Sequence, residues 1–286
     1  MYFPASYRTF CIEIMLFIMF LFFSITLVNK LLDLETINCG EYSLKTLYTV
    51  SVCIQTIYFL TSLFVAFIDN YYDKLQVLHL KRIVNPGCQK LKNIPWHNVL
   101  RACHLAICNS LISHILSLVL FIPLMHIRGA CISLINLSLN ELIDVFMKYP
   151  FVYYIVDFLF YFSHRLFHLI PYLYQNFHKL HHEWQHTFGV QAIACHPLEH
   201  ICVNLFSVFG ALFIIKLPVE LQIIFLVHAV INTVFSHSGY DFIGTLASGI
   251  THDYHHHYFK VEYGAGGFAD RLFKTTLNDV FPNKIN

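Results

Sequence analysis

The sequence predicts an all-α integral membrane protein with about four membrane spans plus a helical hairpin. Hydrophobic residues make up 57% of the 286 residues and charged residues only 12%, and the mean hydropathy is +0.57. Soluble domains carry about 25% charged residues. The apolar residues lie in runs of helix length, and in lipid only helices and closed barrels satisfy every backbone hydrogen bond.

The apolar runs mark the individual spans. A run of about 20 residues is long enough to cross a bilayer. The first run is too long for the apolar region of a signal peptide, so we expect an uncleaved span there. Two later runs are short and are separated by Lys216, Leu217 and Pro218, which favours a hairpin. The predicted spans are residues 10–28, 46–68 and 104–125, a shorter run at 149–162, and the hairpin arms 201–215 and 219–235.

Basic residues indicate the orientation of these spans. The loop after the second predicted span contains Lys74, Lys81, Arg82, Lys90, Lys92 and Arg101. Because Lys and Arg collect in cytoplasmic loops, we expect this loop to be cytosolic. Counting spans onward then places residues 164–200 and 237–286 on the same cytosolic side. The net charge of +1 provides no basic surface for nucleic acid.

No internal repeat or linker divides the chain. We expect one domain, with an N-terminal membrane-spanning region at residues 1–148 and a histidine-rich region at residues 149–286. The nine cysteines form no Cys-x-x-Cys pair and are odd in number, which favours packing over a disulfide framework. Pro150 and Pro171 are predicted to lie at or near helix ends.

Histidines are concentrated in one part of the chain. Residues 164–257 hold 14 of the 19. Three dense groups have helical spacing, so each can direct two or three imidazoles to one point. Neutral imidazole is a common metal ligand, and eight such rings exceed the needs of one tetrahedral zinc. We therefore predict a cytosolic dimetal centre. The three groups, here called boxes, are His164 and His168; His178, His181 and His182; and His252, His255 and His256.

Other residues could complete this centre. His237 and His196 are further candidate ligands, although each could equally end or begin a helix. Asp157, Glu199 and Asp253 lie close in sequence to the boxes, and such carboxylates commonly accept the second N–H of a ligating histidine. His200 and His257 are expected at the surface or behind the ligands. His228 lies in an apolar run and is expected to be a satisfied core histidine.

The boxes and the segments around them resemble the fatty acid hydroxylase and sterol desaturase superfamily of membrane dimetal oxygenases. DFLFYFSHRLFH, from Asp157, is similar to that family's first box. LYQNFHKLHHEWQHTFGVQAIACHPLEH, from Leu173, resembles the second box of the 4-methylsterol monooxygenases, and HSGYDF and HDYHH resemble the same branch. The resemblance covers residues 149–276. The sequence differs from the family pattern after HSGYDF and at Lys274, where the family usually has glycine. These differences bear on the substrate more than on the metal ligands.

The resemblance implies an oxygen-dependent enzyme. The eight box histidines would be metal ligands, with His237 and His196 adding to the site. The metal would be two iron ions, with zinc possible in isolated protein. Reducing equivalents would come from NAD(P)H through cytochrome b5 and its reductase, in the endoplasmic reticulum membrane.

The implied reaction is hydroxylation of a sterol, in the first place oxidation of a 4-methylsterol. Cholesterol 25-hydroxylase-like oxidation of the side chain is the nearest alternative. Desaturation, or hydroxylation of a fatty acyl chain, is a further outcome at the same centre. A membrane metal transporter is the non-enzymatic alternative, but transporters place polar ligands within their spans, near the bilayer midplane.

Overall fold

The computed structural model describes residues 44–71, 96–128, 137–184, 187–240 and 249–282, and this part of the chain is helical apart from connecting turns. The long helices are α1 (Leu44–Tyr71), α2 (Trp96–Leu116), α4 (Leu139–Leu169) and α8 (Val219–Ser236). The shorter helices are α3 (Ile122–Ile127), α5 (Pro171–Leu173), α6 (Pro197–Glu199), α7 (Phe206–Ile214), α9 (Gly249–Tyr258), α10 (Phe268–Phe273) and α11 (Leu277–Val280). Wide π-helical turns lie at Ser117–Phe121, Tyr174–His178 and His200–Leu205, and tight 3₁₀ turns at His181–Glu183 and Gly189–Ile193.

Four helical stretches in the described part are long and apolar enough to cross a membrane. They are Thr49–Ile68, Trp96–Met125, Pro197–Ile214 and Val219–Ser236. They confirm the predicted spans at 46–68 and 104–125 and both arms of the hairpin, and so the prediction of a multi-span helical membrane protein. The predicted span at 10–28 and most of the basic loop lie outside the described residues.

Helix α1 has one exposed apolar face and one face packed against the rest of the protein. Its exposed face carries Leu60, Leu63, Phe64 and Phe67, at the spacing of one helical stripe. On the opposite side Tyr58, Val65 and Ile68 are buried against the rest of the bundle. A large exposed apolar stripe of this kind suits contact with lipid chains rather than water.

Helix α4 is continuous over 31 residues. It begins at a capping box: the Ser138 backbone N–H donates to Glu141 Oε2 at 2.8 Å, and the Glu141 N–H donates to Ser138 Oγ. Pro150 lies inside the helix, so the prediction that it marks an end is wrong. Proline removes one backbone hydrogen bond, whereas ending the helix there would leave several backbone groups without an intrahelical partner. Residues 148 and 149, on either side of the predicted region boundary, both lie in this helix.

The predicted hairpin is present. Helix α7 ends at Ile214, and α8 begins at Val219 with Pro218 at its N-cap. The Gln222 side-chain amide donates to the Leu217 carbonyl at 2.7 Å, which closes the turn. The first arm starts earlier than predicted, at Pro197, because a π-helical turn joins α6 to α7.

Helix packing brings the histidine boxes to one end of the bundle. Val65 near the end of α1 and Val234 near the end of α8 both lie against Gly189. Val65 and Val234 share a core cluster with Tyr58, whose hydroxyl donates to the Val190 carbonyl at 2.8 Å. Helix α4 packs along α7 and ends at the first box. The C-terminal ends of α1, α4 and α8 therefore surround the segments that carry the second and third boxes.

Candidate metal centre

Nine histidines form two adjacent groups at this end of the bundle. Within each group, the ring nitrogens available to an ion lie within 4.8 Å of one another. Eight of the nine side chains are buried, and His168 is half-buried. The two groups meet where the rings of His182 and His256 have centroids 4.6 Å apart. Group A is His164, His168, His178, His182 and His255, and group B is His181, His237, His252 and His256.

The second and third boxes are each divided between the two groups. In each box, the two histidines four residues apart enter one group and the remaining one enters the other. The expectation that each box aims at a single point is therefore corrected: both boxes tie the two groups together. The pairs are His178 with His182 in group A and His252 with His256 in group B, and the remaining members are His181 in group B and His255 in group A.

Backbone carbonyls fix the tautomer of three rings. The Nδ1 atoms of His164, His255 and His237 lie 2.8, 2.7 and 2.8 Å from the carbonyl oxygens of Tyr263, Val261 and Thr233 respectively. Because a carbonyl oxygen only accepts, each Nδ1 must carry the proton and donate it. When the ring is neutral, Nε2 then bears a lone pair, and it points into the group.

Burial keeps the grouped rings neutral. It lowers the pKa of His164 and of His237 to about 4. The pKa of every other member lies well below its usual value, because burial lowers it and the neighbouring histidines lower it further. These members are His168, His178, His181, His182, His252, His255 and His256. A neutral imidazole is the form that binds a metal.

The Nε2 spacing fits metal ions. The Nε2 atoms of His178 and His182 are 2.9 Å apart, and those of His237 and His252 are 2.8 Å apart. Ring nitrogens held this close either share a hydrogen bond or bind the same cation. Two nitrogens bound at about 2.1 Å to one ion, at right angles, are about 3.0 Å apart. The donor set of each group therefore fits one metal ion held by imidazole nitrogens.

Glu199 supports group A from behind. Its Oε1 lies 2.9 Å from Nδ1 of His178, and both side chains are buried. The carboxyl group thus lies where an outer partner of a metal-bound histidine is expected, a position from which it would orient the ring.

We expect Glu199→Gln to weaken metal binding about 10- to 100-fold, the usual effect of losing an outer carboxylate. Competition with a chelator of known affinity measures this. The matched control is Glu183→Gln, next to the second box, because Glu183 is partly exposed and pairs with Arg101 instead. Equal affinity in the Glu199 variant and wild type would contradict the role.

Asp157 acts on the centre through a loop rather than through a histidine. Its two carboxylate oxygens accept the backbone N–H groups of Gly266 and Ala269, at 2.6 and 2.8 Å. Asp270 accepts the N–H groups of Tyr263 and Gly264 in the same loop. Since the Tyr263 carbonyl holds His164, both carboxylates fix the ring of His164 indirectly. The loop approaches so closely that a Cβ on Gly264 would lie 2.6 Å from Asp157 Oδ1.

The remaining predicted residues have other positions. His196 lies outside both groups: it caps α6, where its Nδ1 accepts the Leu198 N–H, and its ring packs on Phe177. Asp253 is buried and accepts from the Thr187 hydroxyl at 3.3 Å. His200 is buried behind the site, with Nε2 2.8 Å from Ser113 Oγ. His257 belongs to neither group.

A cavity of about 660 Å³ leads from the centre into the bundle. Of the grouped histidines, only His237 and His252 line it, and both belong to group B. Much of its remaining wall is apolar, with Phe209, Phe225 and Leu226 among its members. The volume is within the range of about 300–1,000 Å³ for small-molecule sites. An apolar molecule in this cavity would therefore meet group B first.

Sequence reasoning missed the carbonyl partners of the ligand rings. The acceptors at Tyr263, Val261 and Thr233 are backbone atoms, so no residue type marks them. Tyr263 and Val261 follow the third box within ten residues, and that proximity is the only signal in the sequence.

Comparison with known proteins matches this region to one family. Residues 149–275 match the fatty acid hydroxylase family model. A fatty acid hydroxylase of Mycosarcoma maydis is 35% identical over 116 residues, which are 41% of this chain and 30% of that protein. A putative methylsterol monooxygenase of Dictyostelium discoideum is 34% identical over 168 residues, covering 54% of this chain and 62% of that protein. A C-4 methylsterol oxidase of Schizosaccharomyces pombe is 35% identical over 130 residues, covering 41% and 43%.

The chain spans less than two thirds of the length of each of these relatives. No solved structure matches it. The matched segment contains all nine grouped histidines and both carboxylates that fix the loop beside His164. Residues 149–275 of this chain are therefore similar to a fatty acid hydroxylase domain.

Proposed function

We propose that this protein is a membrane-bound dimetal monooxygenase that uses dioxygen to hydroxylate a sterol. One observation carries the proposal: two groups of neutral imidazoles converge, and the second opens onto an apolar cavity inside a bundle of membrane-length helices. Such a cavity suits a lipid substrate. A hydrolase would need fewer nitrogen ligands and would usually act on a polar substrate.

Groups A and B would each hold one iron ion, and the pair would supply the activation of dioxygen needed to attack an unactivated C–H bond. The chain's own residues prepare the site. The carbonyls of Tyr263, Val261 and Thr233 keep three rings in the ligand tautomer. Burial excludes water from eight of the nine rings, which protects a reactive centre from side reactions.

The names of two relatives support a sterol substrate. The names putative methylsterol monooxygenase and C-4 methylsterol oxidase both give a methylsterol as the molecule that is oxidised. We therefore place 4-methylsterols first among the substrates. Oxidation of a sterol side chain is the second candidate, because the cavity extends well beyond group B into the bundle.

The metal-transporter alternative has less support. A transporter site is expected near the bilayer midplane, within broken helices. Here the grouped histidines lie at one end of the bundle, at or beyond the ends of α4 and α8. We further propose that the histidine end faces the cytosol of the endoplasmic reticulum, where NAD(P)H-reduced cytochrome b5 would deliver electrons.

Microsomes from cells with and without this protein test the reaction. Incubation with ¹⁸O₂, NADPH and a sterol mixture should yield a hydroxylated sterol that carries one ¹⁸O atom and is absent without the protein. Unlabelled desaturated products would redirect the proposal to desaturation, since desaturation leaves no oxygen in the lipid. Labelled hydroxyacyl products without labelled sterols would redirect it to acyl hydroxylation.

A further inference from the structure

One polar side chain in the cavity wall is not used by the metal centre. His228 lies in the middle of α8 and lines the cavity. Its Nδ1 is buried and has no hydrogen-bond partner among the described residues. The expectation of a satisfied core histidine is therefore wrong. A polar ring within a membrane span is costly unless it is used.

Its protein neighbours do not supply the missing partner. The His228 ring packs edge-on against Tyr153, with centroids 5.4 Å apart and planes at 81°. The Tyr153 hydroxyl is instead near the Tyr149 hydroxyl, at 3.3 Å. At the deep end of the cavity, Ser51 is bonded to His114, and Gln222 to the Leu217 carbonyl. His228 thus keeps unused hydrogen-bonding capacity in the wall of the cavity.

The position of His228 along α8 sets a distance. It precedes His237 of group B by nine residues, which corresponds to about 13 Å along a helix axis. Phe225, Leu226 and Ala229 lie around it in the cavity wall and suit an apolar skeleton. The cavity therefore has a polar point deep in the bundle, a largely apolar middle and the candidate metal centre at its other end.

We propose that His228 binds the hydroxyl group of an amphiphilic lipid substrate, so that the carbon to be oxidised lies at group B, about 13 Å further along the helix axis. A neutral imidazole and a hydroxyl each have one donor and one acceptor, so they are complementary partners. This inference rests on the proposed lipid oxygenase activity and refines its position of attack. It favours a carbon remote from the hydroxyl, and so ranks oxidation of a sterol side chain above oxidation of a 4-methylsterol, which the names of the relatives favour. The C4 methyl of a methylsterol, by contrast, lies beside the ring hydroxyl.

Equilibrium binding tests the anchor without relying on turnover. The probes are radiolabelled cholesterol and cholest-5-ene, which has the same skeleton without the hydroxyl. Purified full-length protein in detergent should bind cholesterol about 10- to 100-fold more tightly than cholest-5-ene. His228→Leu should remove this preference by weakening cholesterol binding alone, and His228→Gln, which keeps a donor and an acceptor, should restore part of it.

Leu226→Ala is the matched control, because it changes the wall of the same cavity and leaves the polar group in place. It should keep the preference for cholesterol. Wild-type protein without a preference, or a His228→Leu variant that retains it, would overturn the anchor.

Product analysis tests the distance. With a hydroxysterol substrate, the new oxygen should lie far from the existing hydroxyl, and His228→Leu should raise KM or scatter the position of attack. Oxidation of a 4-methylsterol at its C4 methyl, with kinetics unchanged in His228→Leu, would overturn the proposal. His228-dependent binding without any oxygenation would instead contradict the proposed function and leave the anchor standing.

Discussion

Replacing His255 or His181 by alanine is expected to remove one metal ion from the protein and to abolish sterol oxidation. His255 belongs to group A and His181 to group B. The Nε2 atom of His255 lies 3.1 Å from that of His168 and 3.2 Å from that of His182, so its loss opens one side of group A. Losing a direct ligand should cost more than the about 10- to 100-fold typical of an outer partner. Each variant should therefore fall more than 100-fold in product formation.

The matched control for both variants is His257→Ala. His257 adjoins His256 in the third box but belongs to neither group. His196→Ala is a second control, since His196 caps a short helix outside the groups. Product formation in microsomes, metal content and gel-filtration behaviour should be compared. Wild-type activity in both the His255 and the His181 variants, or equal loss in the His257 control, would contradict the assignment.

Acidification is expected to destabilise the metal-free protein steeply between pH 6.5 and pH 4. Burial lowers the pKa of both His164 and His237 to about 4 in the folded protein. In the unfolded chain these rings gain a proton near pH 6.5, so below that pH the unfolded state binds more protons. The free energy of unfolding then decreases as the pH falls, and it stops decreasing below the pKa of the folded state. Each of the two rings contributes about 3 kcal/mol of this loss at pH 4.

The other grouped rings act in the same direction, because burial and like-charged neighbours also depress their pKa values. Melting of the detergent-solubilised metal-free protein from pH 8 to pH 4 measures the effect. The midpoint temperature should be nearly flat above pH 7 and fall sharply below pH 6.5. Replacing His164 and His237 together by asparagine should make the slope shallower. A flat profile down to pH 4 would contradict the buried, neutral state of the rings.

The helical spacing of the boxes was sufficient to predict which histidines come together. All eight box histidines lie in the two groups, and His237 joins them because α8 ends there after the hairpin returns. The same spacing could not assign rings to groups. His178 ends a π-helical turn, and the 3₁₀ turn at His181–Glu183 carries both His181 and His182, yet the two rings enter different groups. The choice depends on local backbone geometry that the sequence does not display.

The partners of the rings were less predictable for a different reason. Asp157 shares a helical face with His164, yet it binds a loop 109 residues later in the chain. The direct acceptor for His164 is a backbone carbonyl. His196 precedes a proline and caps a helix, a role that the surrounding sequence permits as readily as metal binding. Such pairings depend on tertiary contacts, so residue type and spacing carry little information about them.

The metal content of the intact protein tests the central claim most directly. Full-length protein purified without chelator, and reconstituted with ferrous iron under anaerobic conditions, should contain two ions per chain, one for each group. His255→Ala and His181→Ala should each contain one ion, and the two substitutions together should leave none. A single ion per chain in the wild-type protein, or no change in the two variants, would contradict a dimetal centre built from groups A and B.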